Sequence, residues 1–119
     1  MITLPARYRS IQETEKENRC YTLFLNTNHE FGLTLVSRGG PGKKHISHDE
    51  ISGTYELSEK EATLYPTIQQ LWSHTEGAPD VPQVAKVPWA EGPITVTIKN
   101  NTAQLHAFDK DLQLELEKK

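Results

Sequence analysis

The chain predicts an α+β domain, a mostly antiparallel sheet of about five to seven strands with one main helix, and three observations carry that reading. Ile94 to Leu116 alternates apolar and polar residues through three short runs joined by turns. Two more alternating runs, Cys20 to Asn26 and Phe31 to Ser37, flank a short turn and read as a hairpin. Leu64, Ile68, Leu71 and Trp72 then recur at i, i+4, i+7 and i+8, the spacing of one helical face. A small β-barrel or sandwich capped by one helix is the near alternative.

The C-terminal runs are the clearest. Ile94, Val96 and Ile98 alternate with Thr95, Thr97 and Lys99. Asn100-Asn101 turns the chain, Ala103, Leu105 and Ala107 resume the pattern, and Asp109-Lys110-Asp111 turns again before Leu112, Leu114 and Leu116. Alternation of this kind gives one buried and one wet face, hence a three-stranded meander. In the hairpin, Tyr21, Leu23 and Leu25 share a face opposite Thr22 and Phe24; with apolar residues on both faces it should lie nearer the centre of the sheet.

Elsewhere the signals are of other kinds. Arg7 to Arg19 is polar apart from Tyr8 and Ile11 and reads as a loop or a short exposed turn. Arg38 to Asp49 contains Gly39-Gly40-Pro41-Gly42 and reads as an exposed loop, after which Ile51 to Leu57 forms a strand. Ser58 with Glu61 fits a capping box opening a helix over Glu59 to His74, with Pro66 kinking it near Tyr65 and Gly77 ending it. Ala78 to Pro93 carries Pro79, Pro82, Pro88 and Pro93, an extended surface crossing without regular structure, pinned by Val81, Val84, Val87 and Trp89.

At 119 residues the chain predicts a single domain spanning 1–119. A net charge of −3 lacks the concentrated Lys and Arg excess that phosphate-backbone binding needs, so nucleic acid is not an expected partner. With Cys20 as its one cysteine the chain cannot form an intramolecular disulfide, a redox pair or a thiolate zinc cluster, which fits a reducing compartment. No apolar run approaches the roughly 18 residues of a membrane span or the core of a signal peptide, so the expected location is cytoplasmic, with no membrane partner. Asn100-Asn101-Thr102 matches a glycosylation acceptor, but a hairpin turn explains it better.

Several clusters invite chemistry. Gly39 to Gly42 with Lys43 and Lys44 could cradle an anion, yet the spacing is not that of a nucleotide P-loop, which leaves a partner-contacting loop or a plain hairpin connection. His45, His48, Asp49 and Glu50 are the best metal or acid–base cluster, though they lack a thiolate or any strong ligand signature. No Gly-x-Ser-x-Gly elbow or His-Glu-x-x-His helix is present, and Cys20 reads as a small core residue. Trp72 falls on the helical stripe and reads as core; Trp89, in the proline-rich crossing, is either an anchor for a partner or a staple. Ser58-Glu59-Lys60-Glu61-Ala62 is similar to helix openings in DNA-binding regulators, but no second helix rich in Arg or Lys follows, and no function passes with it.

The favoured expectation is therefore a non-enzymatic module of inhibitor, immunity or adaptor type, binding a protein partner through Arg38, Lys43, Lys44, His45, His48 and Trp89. Its warrant is analogy with small proteins that occlude a partner. An accessory domain binding a small molecule or carbohydrate beside Trp89 is the second expectation, and a metal-assisted hydrolase using His45, His48 and Asp49 the third. No cofactor is expected. Edge strands could pair two copies into a homodimer, opposed by Lys99, Glu115, Glu117, Lys118 and Lys119. Partner binding requires an exposed apolar patch near Trp89, whereas ligand binding requires a concave polar-lined pocket.

Overall fold

Alternation extends further along the chain than its plain appearance suggests. In the computed structural model, which describes residues 4–77, 83–108 and 110–117, strands form over Ala6–Glu13 (β1), Asn18–Leu25 (β2), Glu30–Gly39 (β3), His45–Leu57 (β4) and Glu61–Thr75 (β5). Gln83–Pro88 (β6), Ile94–Lys99 (β7), Thr102–Ala107 (β8) and Lys110–Leu116 (β9) complete the set. Eight of them, β1 to β5 and β7 to β9, pair antiparallel in sequence order, and β9 returns to β1 through Tyr8–Leu116 and Arg9–Glu115. The result is a closed up-and-down barrel, with β6 added outside the ring along the far half of β5.

The expected α+β class is overturned, because no α-helix occurs among the described residues and the one helical element is a 3-10 turn at Pro41–Lys43. The helix that both the main reading and the barrel alternative kept is strand β5. Its false periodicity has a physical cause. Tyr55 pairs with Leu64 and Ile51 with Gln69, so five residues of β4 face six of β5, and the extra residue falls at Thr67 beside Pro66. Before the bulge Ala62 and Leu64 point inward; after it the parity inverts, Gln69 and Leu71 point inward and Ile68 and Trp72 outward. The stripe Leu64, Ile68, Leu71, Trp72 thus combines two faces of one bulged strand. Pro66 sits where strands tolerate proline. Gly53 opposite is obligatory, since a Cβ there would lie 2.1 Å from the Tyr65 carbonyl oxygen. The Ser58–Glu61 pair closes the β4–β5 turn instead of capping a helix: the Ser58 N–H donates to Glu61 O at 2.9 Å.

Two further expectations change. Arg7 to Arg19 is not a loop: β1 occupies most of it, burying Ala6 and Tyr8 while Arg7 and Arg9 face out. The proline-rich crossing contains β6, and Arg38 to Asp49 is largely the ends of β3 and β4 around a tight turn with Gly40 at φ +74°. Asp109, Val81, Pro79, Pro82, Lys118 and Lys119, singled out above, lie outside the described residues. None of the described helices is long and apolar enough to cross a membrane.

The core fills one end of the barrel. Leu23, Leu25, Leu33, Leu64, Val96, Ala103 and Leu114 are fully buried there, joined by Tyr8, Tyr21, Ile51 and Tyr55. Leu4 packs against this cluster, and the Tyr55 hydroxyl donates to Asn26 O at the β2–β3 turn.

Candidate functional site

Cross-strand register arranges the inner face of β1 to β6 in rows, and reading the rows along the barrel axis locates the site. One row runs Tyr8, Leu23, Leu33, Ile51, Gln69, Val87; the next runs Ser10, Tyr21, Leu35, Asp49, Leu71, Ala85; the last runs Gln12, Arg19, Ser37, Ser47, Ser73. The first is almost wholly apolar and the last wholly polar. Inward positions that would extend the core are thus filled by groups that seek water or a hydrogen-bonding partner.

The strands also part at this end. β7 and β8 are paired only where Thr97, Ile98 and Lys99 meet Gln104, Ala103 and Thr102, and β5 exchanges β7 for β6 across its bulge. Between the separated ends lies an open cavity of about 1040 Å³, lined by Arg19, Leu35, Ser37, Asp49, Gln69, the Pro88–Thr95 segment and His106 to Phe108. Mouths of small barrels are recurrent ligand sites, because the closed sheet holds the walls while the end stays open.

Four polar residues of the wall, Asp49, Gln69, Ser37 and Arg19, each have a neighbour that holds them. Gln69 Nε2 donates to Asp49 Oδ1 at 2.8 Å. Burial raises the pKa of the Asp49 carboxyl, opposed by the Gln69 hydrogen bond and the nearby His48 charge. The hydroxyls of Ser37 and Ser47 share a hydrogen bond of 2.5 Å. Arg19 Nη1 donates to the Tyr21 hydroxyl at 3.4 Å, and this bond, then Glu17, raises the guanidinium pKa against the cost of burial. Arg19 Nε lies 2.6 Å from Glu17 Oε1, yet its N–H is not aimed at that oxygen and the buried atom has no hydrogen-bond partner. The contact is therefore charge pairing with one donor unspent, and the distance, not the missing alignment, makes it an ion pair. Trp89 is fixed twice: its backbone N–H donates to Thr67 O, the bulge residue, at 3.1 Å, and its Nε1 donates to Gly92 O at 3.1 Å. Phe108 closes the opposite wall, its ring 6.2 Å from that of Tyr21.

Of the six residues expected from sequence to bind a partner, Trp89 alone lines this cavity, and of the metal or acid–base cluster only Asp49 does. Lys43 Nζ donates to Thr14 O at 2.7 Å and Asn18 Oδ1 at 3.0 Å, tying the β3–β4 turn to the β1–β2 turn. Arg38 meets Glu76 at 3.3 Å, and His45 Nδ1 lies 3.2 Å from Thr75 Oγ1. Lys44 is exposed, with its carbonyl accepting from the Glu76 N–H at 2.7 Å. His48 points to the outer face, 3.7 Å from Glu50 and edge-on to the Trp72 ring. Consecutive strand residues face opposite ways, so His48 is separated from Asp49 by the sheet itself. No group of three or more His, Cys, Asp and Glu that could hold a metal occurs among the described residues.

Arg19, Ser37 and Gln69 are the wall residues that sequence reasoning passed over. A signal for the first two was present: Arg19 continues the parity of Tyr21, Leu23 and Leu25, and Ser37 that of Leu33 and Leu35, so each is a polar residue at a core-facing position. Gln69 gave no such signal, because the bulge inverts the parity on its strand. A comparison with protein-family models finds none that matches the chain, and a comparison with curated proteins finds no relative.

Proposed function

We propose that this chain is a binding protein without catalytic activity that takes one small polar molecule into the mouth of its barrel. One observation carries it: the inner face turns from apolar to polar along the axis just where the strands separate, leaving an open, polar-walled cavity of about 1040 Å³. The Ser37–Ser47 pair has no histidine or carboxylate acting as its base among the hydrogen bonds of the described residues, so nothing activates a nucleophile there. The hydrolase reading loses its support because His48 and Asp49 face opposite sides of β4.

The experiment is a thermal-shift panel of saccharides, nucleosides, amino acids and short carboxylic acids on the wild-type protein and on Ser47→Phe, whose ring is set beside the lining residue Ser37 to obstruct the mouth. A ligand of the folded state raises Tm in proportion to its occupancy. The expected result is a concentration-dependent rise for one class, abolished in Ser47→Phe. No rise with any class, or an equal rise in the obstructed variant, overturns the proposal.

The interaction reading retains a second observation. Val84, 54% exposed, lies on β6, which has no strand partner on its other edge among the described residues. Such an edge can pair with a second copy of the chain. Sedimentation across a hundredfold concentration range tests it: a Val84-dependent dimer supports it, and a monomer throughout removes it.

A further inference from the structure

Resting on the small-ligand reading above, we infer that the molecule held in the barrel mouth is a neutral, polyhydroxylated one, a short saccharide packed against Trp89 and hydrogen-bonded to the Asp49–Gln69, Ser37–Ser47 and Arg19–Glu17 pairs.

The first support is the form in which the wall offers its hydrogen bonds. Asp49, Gln69, Ser37 and Arg19 line the cavity, and each stands next to a partner: Gln69 beside Asp49 within the lining, and Ser47 and Glu17 beside Ser37 and Arg19, at 2.8, 2.5 and 2.6 Å respectively. A hydroxyl both donates and accepts, so a row of hydroxyls can meet each pair without orphaning either member. A carboxylate only accepts and an ammonium only donates. Either would satisfy one half of each pair and desolvate the other, at the cost attached to an unpaired buried polar group. The Asp49–Gln69 and Ser37–Ser47 pairs are satisfied internally before a ligand arrives, which keeps that part of the wall in one arrangement and lowers the ordering cost of binding, whereas Arg19 Nε keeps one donor unspent.

Charge supports neutrality. The Arg19 cation in the wall is already matched by Glu17 at 2.6 Å. Asp49 takes its hydrogen bond from Gln69, and burial favours its uncharged form. Glu91 is on the exposed rim, where water screens it, and His106 lies 2.9 Å from Asp111. No field of one sign therefore dominates the mouth.

The third support is the apolar side. Trp89 is held at both its backbone and indole nitrogens, so its ring is a fixed part of the wall, and Leu35 and Phe108 add further apolar lining. Leu71 and Val87, at inward register positions next to the lining but not part of it, remain 40% and 39% exposed, unspent by the core. A sugar ring has the matching form, with polar edges and C–H faces that pack on aromatic and aliphatic surface. A volume of about 1040 Å³ stands at the upper end for small-molecule sites, room for more than one ring and bridging water.

The test uses Trp72→Phe protein, leaving Trp89 as the only tryptophan, since Trp72 stands on the outer face away from the mouth. Maltotriose, cellotriose and tri-N-acetylchitotriose are titrated as neutral probes, with trigalacturonate as the anionic and chitosan trimer as the cationic control. The expected result is a saturable change in Trp89 emission with a neutral probe, weakened roughly tenfold or more by Asp49→Ala or Gln69→Ala. Should Trp72→Phe fail to fold, the Trp89 indole N–H resonance of wild-type protein gives the same readout. Saturation by a charged trimer alone overturns the inference. So does silence of every saccharide while the thermal-shift panel finds another class, in which case the small-ligand reading survives; silence in both removes both.

Discussion

The two ends of the barrel are built from the same strands and behave as different materials. At the closed end the inward positions of β2, β3 and β4 are Leu23, Leu33 and Ile51, all essentially without solvent exposure. Two rows further along the same strands they are Arg19, Ser37 and Ser47. The first set stabilises the fold through burial of apolar area, at about 25 cal/mol per Å². The second contributes little to folding, and the row between the two costs something where it removes the Asp49 carboxyl from water. A barrel designed only to be stable would carry its apolar rows to the rim. Here polar rows stand in a wall that a core would otherwise occupy, the pattern expected where stability is yielded to the proposed site.

The sharpest way to break this comparison lies within one strand. Leu33→Ala should cost about 3–5 kcal/mol of unfolding free energy, whereas Ser37→Ala, facing the same way four residues later, should change it by less than about 1 kcal/mol. Urea denaturation of both variants reads the difference, and equal costs would show that the mouth is part of the core. Gly53→Ala comes next, at about 2–4 kcal/mol, because its Cβ would overlap the Tyr65 carbonyl at the bulge. Hydrogen exchange should then quicken along the Ser52–Ile68 region before the β7–β9 meander, and a uniform change would deny that the bulge divides the two ends. Lys43→Met removes the link between two turns at the rim and should cost about 1 kcal/mol, with faster exchange at Thr14 to Asn18.

The smallest effect has the opposite sign. Burial raises the Asp49 pKa, so the folded state binds this proton more tightly than the unfolded state does. Its contribution to stability is present below the unfolded carboxylate pKa of about 3.9 and is lost as pH rises through the folded value. Asp49→Asn should therefore melt higher at neutral pH, by about 1–3 °C, and its stability should fall less than that of the wild type as pH rises out of the acid range. A lower melting temperature at neutral pH would mean that the carboxylate supports the fold instead of opposing it.

How much of this could be read from residues alone depends on the strand. The meander forms as its alternation indicates, over Ile94–Lys99, Thr102–Ala107 and Lys110–Leu116, because each strand has one wet and one buried face and no irregularity. β1 was hidden because its rim residues and, Ile11 apart, its outward residues are polar, leaving Ala6 and Tyr8 as the inward apolar pair. β5 was misread because one inserted residue turns a period of two into an apparent helical stripe. Of the candidate site, Trp89 was legible as an aromatic without an obvious core, and Arg19 and Ser37 were visible only as polar residues at inward parity.

What the sequence by itself determined is the set of two-faced strands and the turns between them, since alternation, Asn100-Asn101 and Gly39 to Gly42 act locally. Closure into a barrel was decided in three dimensions: it requires β1 to meet β9 across nearly the whole chain and β5 to shift register at Pro66 and Thr67. Neither is a local property, because both depend on which edges remain unpaired once the neighbouring strands have formed. The mouth follows from closure, as polar residues scattered from Arg19 to Gln69 become one wall only when the sheet curls round and brings them to the same end.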